Sequence, residues 1–309
     1  ARLARVGGPG AIGGLKKTAF DIGSQLGISP TEIATSMQTV AAQYKNPADI
    51  KQVTTAGAQL SKLTGRDMSS SIADVISALE QLKITASDAT RLVDKFAAVS
   101  THAAVTVAQL QDAVSATGEN AENAGIHFDR LNGIVAALAS STNLSGRSIA
   151  TFLNRMIERS VAPENIAALD RFGIFMRSAL DPTQFRSLDT VLTEVSGKWK
   201  TYTDSQQQAI AKAFVGQKQM QSFMTLMEQW KKVIDITNVS VNSQGAAQKQ
   251  LKGLLDTTAT SLGKLRAAFE ELASILGTGW IKPMVDGLTD LFQWLNKIES
   301  KFNILSNLP

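Results

Sequence analysis

The chain has 309 residues, of which 44% are hydrophobic but only 6% aromatic, with seven prolines; this mixture suits many short-side-chain helix contacts better than large sheets. Thirty-one Lys plus Arg against twenty-seven Asp plus Glu leave a net charge of +4, too small a bias for an electrostatic nucleic-acid binder, and the absence of cysteine excludes disulfides, thiolate metal sites and cysteine nucleophiles. A chain of this length can hold roughly two ordinary domains, and we expect an all-α protein of helical hairpins or a bundle followed by two coiled-coil-like helices.

The first residues, Ala-Arg-Leu-Ala-Arg, have neither the apolar stretch nor the cleavage pattern of a secretory signal, and a start at Ala1 suggests a piece cut from a longer protein. Gly8-Pro9-Gly10-Ala11-Ile12-Gly13 matches the dinucleotide fingerprint G-x-G-x-x-G as a string. That fingerprint requires a strand leading into a tight turn, and Ala1 to Gly7 is too short and basic to supply one, so residues 1–28 read as a glycine-rich linker.

Helix punctuation then recurs. Ser29-Pro30-Thr31-Glu32 places a cap, a first-turn proline and a capping-box glutamate ahead of Ile33, Met37 and Val40. Thr85-Ala-Ser-Asp88 and Thr106-Val-Ala-Gln109 mark two further starts. Gly65, Gly118, Gly146 and Gly197 each follow a polar residue where a helix could exit through a left-handed conformation, and they read as stops. Between these marks the apolar spacing is helical: Leu131, Ile134, Val135 and Leu138; Ile149, Phe152, Leu153, Met156 and Ile157; Met220, Phe223, Met224 and Met227. The pattern predicts about ten to twelve helices. The methionine-rich face reads as core, with an adaptable binding groove as the alternative. The triplets Thr64-Gly65-Arg66 and Ser145-Gly146-Arg147 hint at a repeat, but the stretches around them do not align.

Residues 29–243 read as a helical core, and Asn238 to Gly245, which carries Asn, Ser and Gly without a helical stripe, reads as a hinge. Beyond it run two ladders. Leu251, Leu255, Thr258, Leu262, Leu265, Phe269, Leu272 and Leu276 follow at spacings of four and three within a first laddered helix, residues 244–276. Ile281, Met284, Leu288, Leu291, Leu295, Ile298, Phe302 and Leu305 resume the pattern in a second, residues 277–309, after the breakers Gly277, Gly279 and Pro283. Stripes this narrow favour a seam with partner helices over a compact core. Leu262, Leu265, Phe269, Leu272, Leu288, Leu291 and Leu295 are the expected inter-chain or inter-helix contacts.

Chemistry-bearing patterns are sparse. His102 and His127 lack metal-ligand spacing and read as polar junction residues. No G-x-S-x-G elbow or phosphate-binding G-x-x-x-x-G-K-[ST] loop occurs, and pairs such as Glu119 with Glu122 or Glu270 with Glu271 suit wet helix faces. We expect no catalytic residue, cofactor or metal. Lys16-Lys17 and Lys231-Lys232 are short solvated pairs without stacking aromatics, so no specific nucleic-acid binding is expected. The best apolar run, Leu272 to Ile281, falls short of the ~18 residues a spanning helix needs.

An ordered set of segments carries a family likeness: Leu26-Gly-Ile-Ser-Pro-Thr-Glu-Ile33; Leu63-Thr-Gly-Arg-Asp-Met-Ser; Thr85-Ala-Ser-Asp-Ala-Thr-Arg-Leu-Val-Asp94; Gly125-Ile-His-Phe-Asp-Arg-Leu131; Asn143-Leu-Ser-Gly-Arg-Ser148; Leu169-Asp-Arg-Phe-Gly-Ile174; and Phe269-Glu-Glu-Leu272. Together they resemble the core region of tail tape-measure proteins of tailed bacteriophages and prophages, over most of residues 25 to 295. The resemblance implies a structural protein in the tail lumen that sets tail length during assembly and leaves through the tip at infection. It implies self-association as a homotrimer or hexamer, contacts with tail tube and distal tip proteins and with tail assembly chaperones, and a location in the virion after assembly in the host cytoplasm. The long central rod of that family is missing from these residues. The alternative is a helical membrane-interacting module for pore formation or delivery, which Leu272 to Phe292, with few charges and with Trp280 and Trp294 suited to an interface, keeps open as host membrane contact at infection.

Overall fold

A computed structural model describes residues 9–255 of the chain. Among these residues the fold is all-α: fourteen α-helices, short 3-10 turns, and one isolated antiparallel bridge between Arg177 and Phe185. The helices are α1 (Pro9–Leu26), α2 (Pro30–Gln43), α3 (Pro47–Thr64), α4 (Met68–Gln81), α5 (Ala89–His102), α6 (Val107–Asn123), α7 (Phe128–Thr142), α8 (Gly146–Ser160), α9 (Pro163–Asp170), α10 (Leu188–Lys198), α11 (Asp204–Val215), α12 (Met220–Glu228), α13 (Trp230–Val241) and α14 (Ala246–Leu255).

Local chemistry fixes most of their ends. Proline stands in the first turn of α2, α3 and α9, where its missing N–H removes a donor that would otherwise lack a partner. Asn46 caps α3, Asp67 caps α4 and Ser145 caps α8 through side-chain oxygens. Thr106 with Gln109, and Thr203 with Gln206, close full reciprocal capping boxes at the starts of α6 and α11. Gly65 ends α3 with φ 71°, the left-handed exit expected from its position.

Three glycines read as stops do not act so. Gly118 lies inside α6, Gly197 inside α10, and Gly146 opens α8 behind its Ser145 cap. Gly146 has a packing role, since a Cβ there would lie 2.1 Å from the carbonyl oxygen of Gln109. Gly65 and Gly146 thus serve opposite ends of helices, which removes the structural basis for a repeat around them. The glycine-rich linker also differs in part: from Pro9 onward it is helix α1, whose Leu15, Ala19, Ile22 and Leu26 are buried. Their spacing of four, three and four is a helical stripe that the glycines around it obscure.

One apolar core runs from Leu15 to Leu251. Pairings of α6 with α8, α7 with α13, and α3 with α4 are the most extensive. The methionine-rich face of α12 belongs to that core: Phe223 and Met227 are buried, Met220 and Met224 pack against it partly covered, Trp230 at the start of α13 is buried, and Phe223 stacks on Phe214 with ring centroids 4.9 Å apart.

Candidate functional site

The residues expected to make helix contacts, Leu262, Leu265, Phe269, Leu272, Leu288, Leu291 and Leu295, lie outside the described residues, as does the Leu272 to Phe292 segment. The described part does contain the start of the first ladder. Leu251 is 2% exposed and Leu255 packs against the core, so the first rung of the stripe faces this chain's own helices. Helix α14, which carries both, rests on α5 and α3.

Its attachment is built from two consecutive residues of α5. The Asp94 carboxylate accepts from the backbone N–H of Gly245 through Oδ2 and from that of Ala247 through Oδ1, each at 2.9 Å. These are amides at the amino end of α14, which have no carbonyl partner within their own helix and carry the positive end of its dipole. Gly245 turns the chain there with φ 76°. Next along α5, Lys95 is 9% exposed and donates through Nζ to Oδ1 of Asp129 on α7 and to the Ser240 carbonyl, 3.5 Å away near the end of α13. Ser240 Oγ donates to the same Asp129 oxygen at 2.6 Å, and Asn132 Nδ2 donates to Ser240 Oγ at 3.3 Å. The segment read as a hinge is therefore helical through Val241 and turns over residues 242–245, with Ser240 and Ser243 buried and polar bonds gripping both sides of the turn. Beside it lies a cavity of about 700 Å³ bounded by Thr101 and His102 of α5, Val239 of α13, and Lys249 and Gly253 of α14.

Asp94 closes one segment of the family likeness, yet nothing near it in sequence marks it as a cap, because the helix it caps starts 152 positions later (246 minus 94). Lys95 has no sequence signal either. An isolated lysine two residues after Val93 is normally a solvated face.

Several other charged groups make contacts within the fold. His127 Nδ1 lies 2.5 Å from Glu122 Oε1 on the surface, and His102 Nδ1 lies 2.8 Å from the Ala98 carbonyl one turn back. Arg66 binds Asp112 at 2.6 Å, Asp74 at 3.2 Å and the side-chain oxygen of Gln111, joining the α3–α4 turn to α4 and α6. The hydrogen bond with Asp112 raises the Arg66 guanidinium above its ordinary range. Burial nevertheless holds the Asp74 carboxyl above the usual aspartate range, outweighing the pull of Arg66. Among the described residues no group of three or more His, Asp and Glu side chains is placed to hold a metal ion.

The site thus consists of packing and caps that fix α14 against the core. The family model for phage-related minor tail proteins matches residues 16–216 of the chain, from α1 through α11. The chain is also similar to a tape measure protein of Pneumococcus phage Dp-1, with 20% identity over 268 residues that cover 86% of this chain and 23% of that protein. It therefore spans about a quarter of that relative's length. No solved structure matches the chain. Since the matching model covers well over half of its length, the chain belongs to the phage-related minor tail protein family.

Proposed function

We propose that the chain is the core of a tape-measure-like protein, a scaffold in the phage tail lumen that takes part in setting tail length during assembly and is released through the tip at infection. The observation that carries this reading is the family match along a continuous helical core whose last described helix leads into the apolar ladders. The physics fits the role. An α-helix advances about 1.5 Å per residue, so contour length converts into distance, and helices joined along an apolar seam are stiff enough to keep it. In this reading Leu262, Leu265, Phe269, Leu272, Leu288, Leu291 and Leu295 join copies of the chain, as a trimer or hexamer, beyond the point where Leu251 and Leu255 finish packing on the core. Tail tube and tip proteins are the remaining partners, and the role is structural rather than enzymatic.

In-frame deletion of core helices within residues 29–243 of the phage protein tests this. The expected result in electron micrographs is loss of tails or of tip attachment. Normally capped tails, shortened in proportion to the residues removed, would show that the segment acts as rod and overturn the core assignment. Substituting Leu265 and Leu291 with Asp should reduce the oligomer measured by sedimentation, and an unchanged oligomer would remove the ladders from the contact.

A further inference from the structure

Between α9 and α10 the chain forms a small hairpin, residues 174–187, closed by the Arg177 to Phe185 bridge. The Ser178 N–H donates to the Gln184 carbonyl at 3.0 Å and the Arg186 N–H to the Met176 carbonyl at 2.9 Å. Asp181 Oδ1 accepts from the Thr183 N–H at 2.9 Å and from its hydroxyl at 2.6 Å, tying the tip. The Arg177 guanidinium covers the Phe185 ring at 4.6 Å and donates to the Pro182 carbonyl at 2.8 Å. The base is pinned to the α6–α7 turn, where the Leu188 N–H and the Ser187 hydroxyl donate to the carbonyls of Ala124 and Gly125, both at 2.8 Å.

A loop held this firmly has no freedom to hide its apolar groups, yet it presents them to water. Ile174 and Met176 point into the core, whereas Leu180 at the tip is 98% exposed, Phe175 57% and Phe185 44%. With Val161 at the end of α8, these make up four of the seven large hydrophobic side chains exposed among the described residues. Such a concentration marks an interaction surface rather than scattered surface leucines. At the foot of the hairpin is a groove of about 470 Å³ floored by Ile157, Val161, Met176, Phe185 and Leu188, with Glu122 at its rim.

We infer that this face is a contact between copies of the chain, in which the Leu180 tip of one copy seats in the groove beside Val161 and Phe185 of the next. A knob and an apolar socket on the same chain are what identical subunits need, either exchanged about a two-fold axis or passed around a ring; a foreign partner needs only one of them. Charge does not oppose the pairing: Arg177 forms no ion pair among the described residues, and the two charged residues lining the socket, Glu122 and Arg186, are each held within their own chain, by His127 and Glu194. The inference deepens the proposed scaffold role by giving its copies a lateral contact separate from the ladders.

The chain has no cysteine, so two full-length variants can report the contact directly: Leu180→Cys and Val161→Cys, mixed and mildly oxidised. Both positions are exposed, and circular dichroism checks that each variant keeps its helices. The mixture should yield disulfide-linked dimers several-fold above either variant alone, and adding Phe185→Asp to the socket of the Val161→Cys chain, which keeps both thiols, should bring the yield back to that of the single variants. Absence of the mixed disulfide under conditions where the chain sediments as an oligomer would overturn this contact while leaving the ladder contacts standing. Loss of liposome binding in Leu180→Asp, with no mixed disulfide between copies, would overturn it in favour of a bilayer as the occupant of the knob.

Discussion

The Asp94 carboxylate on α5 accepts the backbone N–H of Gly245 at 2.9 Å, across 151 positions of sequence, and its second oxygen takes Ala247 two residues on. A cap is normally local, supplied by the residue that precedes the helix. Here it comes from another helix, so the attachment of α14 depends on α5 being in place. Asp94→Ala should cost about 1 kcal/mol, within the range for lost helix caps, and Asp94→Asn less, since the amide keeps one acceptor. Urea titration measures the total. Amide exchange at Gly245 and Ala247 should accelerate more than at buried positions of α7, and equal protection of those two amides in wild type and Asp94→Ala would contradict the cap.

Lys95 makes a second prediction. Removing it leaves Asp129 with Ser240 Oγ as its remaining hydrogen-bond donor here, in a partly covered position, so Lys95→Met should cost about 2 kcal/mol, the scale of a hydrogen bond to a charged group. Pairing it with Asp129→Leu should recover part of the loss, because an apolar pair leaves no stranded charge. A double-mutant cycle gives the coupling. A coupling near zero would mean that Lys95 acts only by packing over Phe128, 5.9 Å from its ammonium.

How much of this was legible can be argued residue by residue. The helical class and several starts follow from local chemistry: Thr106 and Gln109 make both bonds of the capping box that their spacing implies, and Pro30 opens α2. Glycine misled because a single residue type serves two ends. Gly65 is left-handed and ends a helix, but Gly118 sits where α6 crosses α4, with a Cβ position 3.0 Å from the Gln81 side-chain oxygen. Only the backbone angle separates the uses, and sequence does not carry it. The Asp94 cap and the Lys95 to Asp129 contact were illegible because each joins distant segments. The 174–187 hairpin was missed although Asp181-Pro182-Thr183 holds turn chemistry, since its alternation is too short to stand out from the helical pattern around it.

The same distinction between glycines predicts opposite signs for one substitution. A Cβ on Gly133 of α7 would meet the Val233 carbonyl oxygen and Thr237 Oγ1 of α13, each at 2.6 Å. The carbonyl belongs to a packed helix and cannot rotate away, so Gly133→Ala should destabilise by about 1–3 kcal/mol, as overpacking does. Gly197 lies in α10 with nothing within 4 Å of its Cβ position and without a left-handed angle. Gly197→Ala should therefore stabilise by about 0.5–1 kcal/mol through helix propensity. Thermal melts of the two variants side by side provide the measurement, and a loss of stability in Gly197→Ala would count against the open surroundings assigned to it.

Asp74 and Asp67 face each other in sign. Burial raises the folded-state value of the Asp74 carboxyl, so the folded chain takes up its proton more readily than the unfolded chain does. Its ionisation therefore weakens the fold progressively as pH climbs from the ordinary aspartate value, about 3.9, through the raised folded value. Asp67, the exposed cap of α4, is lowered first by its hydrogen bond with Ser70, and its contribution is present above the ordinary value and lost as pH falls through the depressed one. Asp74→Asn should thus gain stability relative to wild type as pH rises from about 4 toward neutrality, whereas Asp67→Asn should lose its disadvantage on acidification. Urea midpoints at a series of pH values test both. Should Asp74→Asn instead fall further behind wild type with rising pH, the ion pairing of Asp74 with Arg66 at 3.2 Å would outweigh burial, reversing the balance assigned to that cluster.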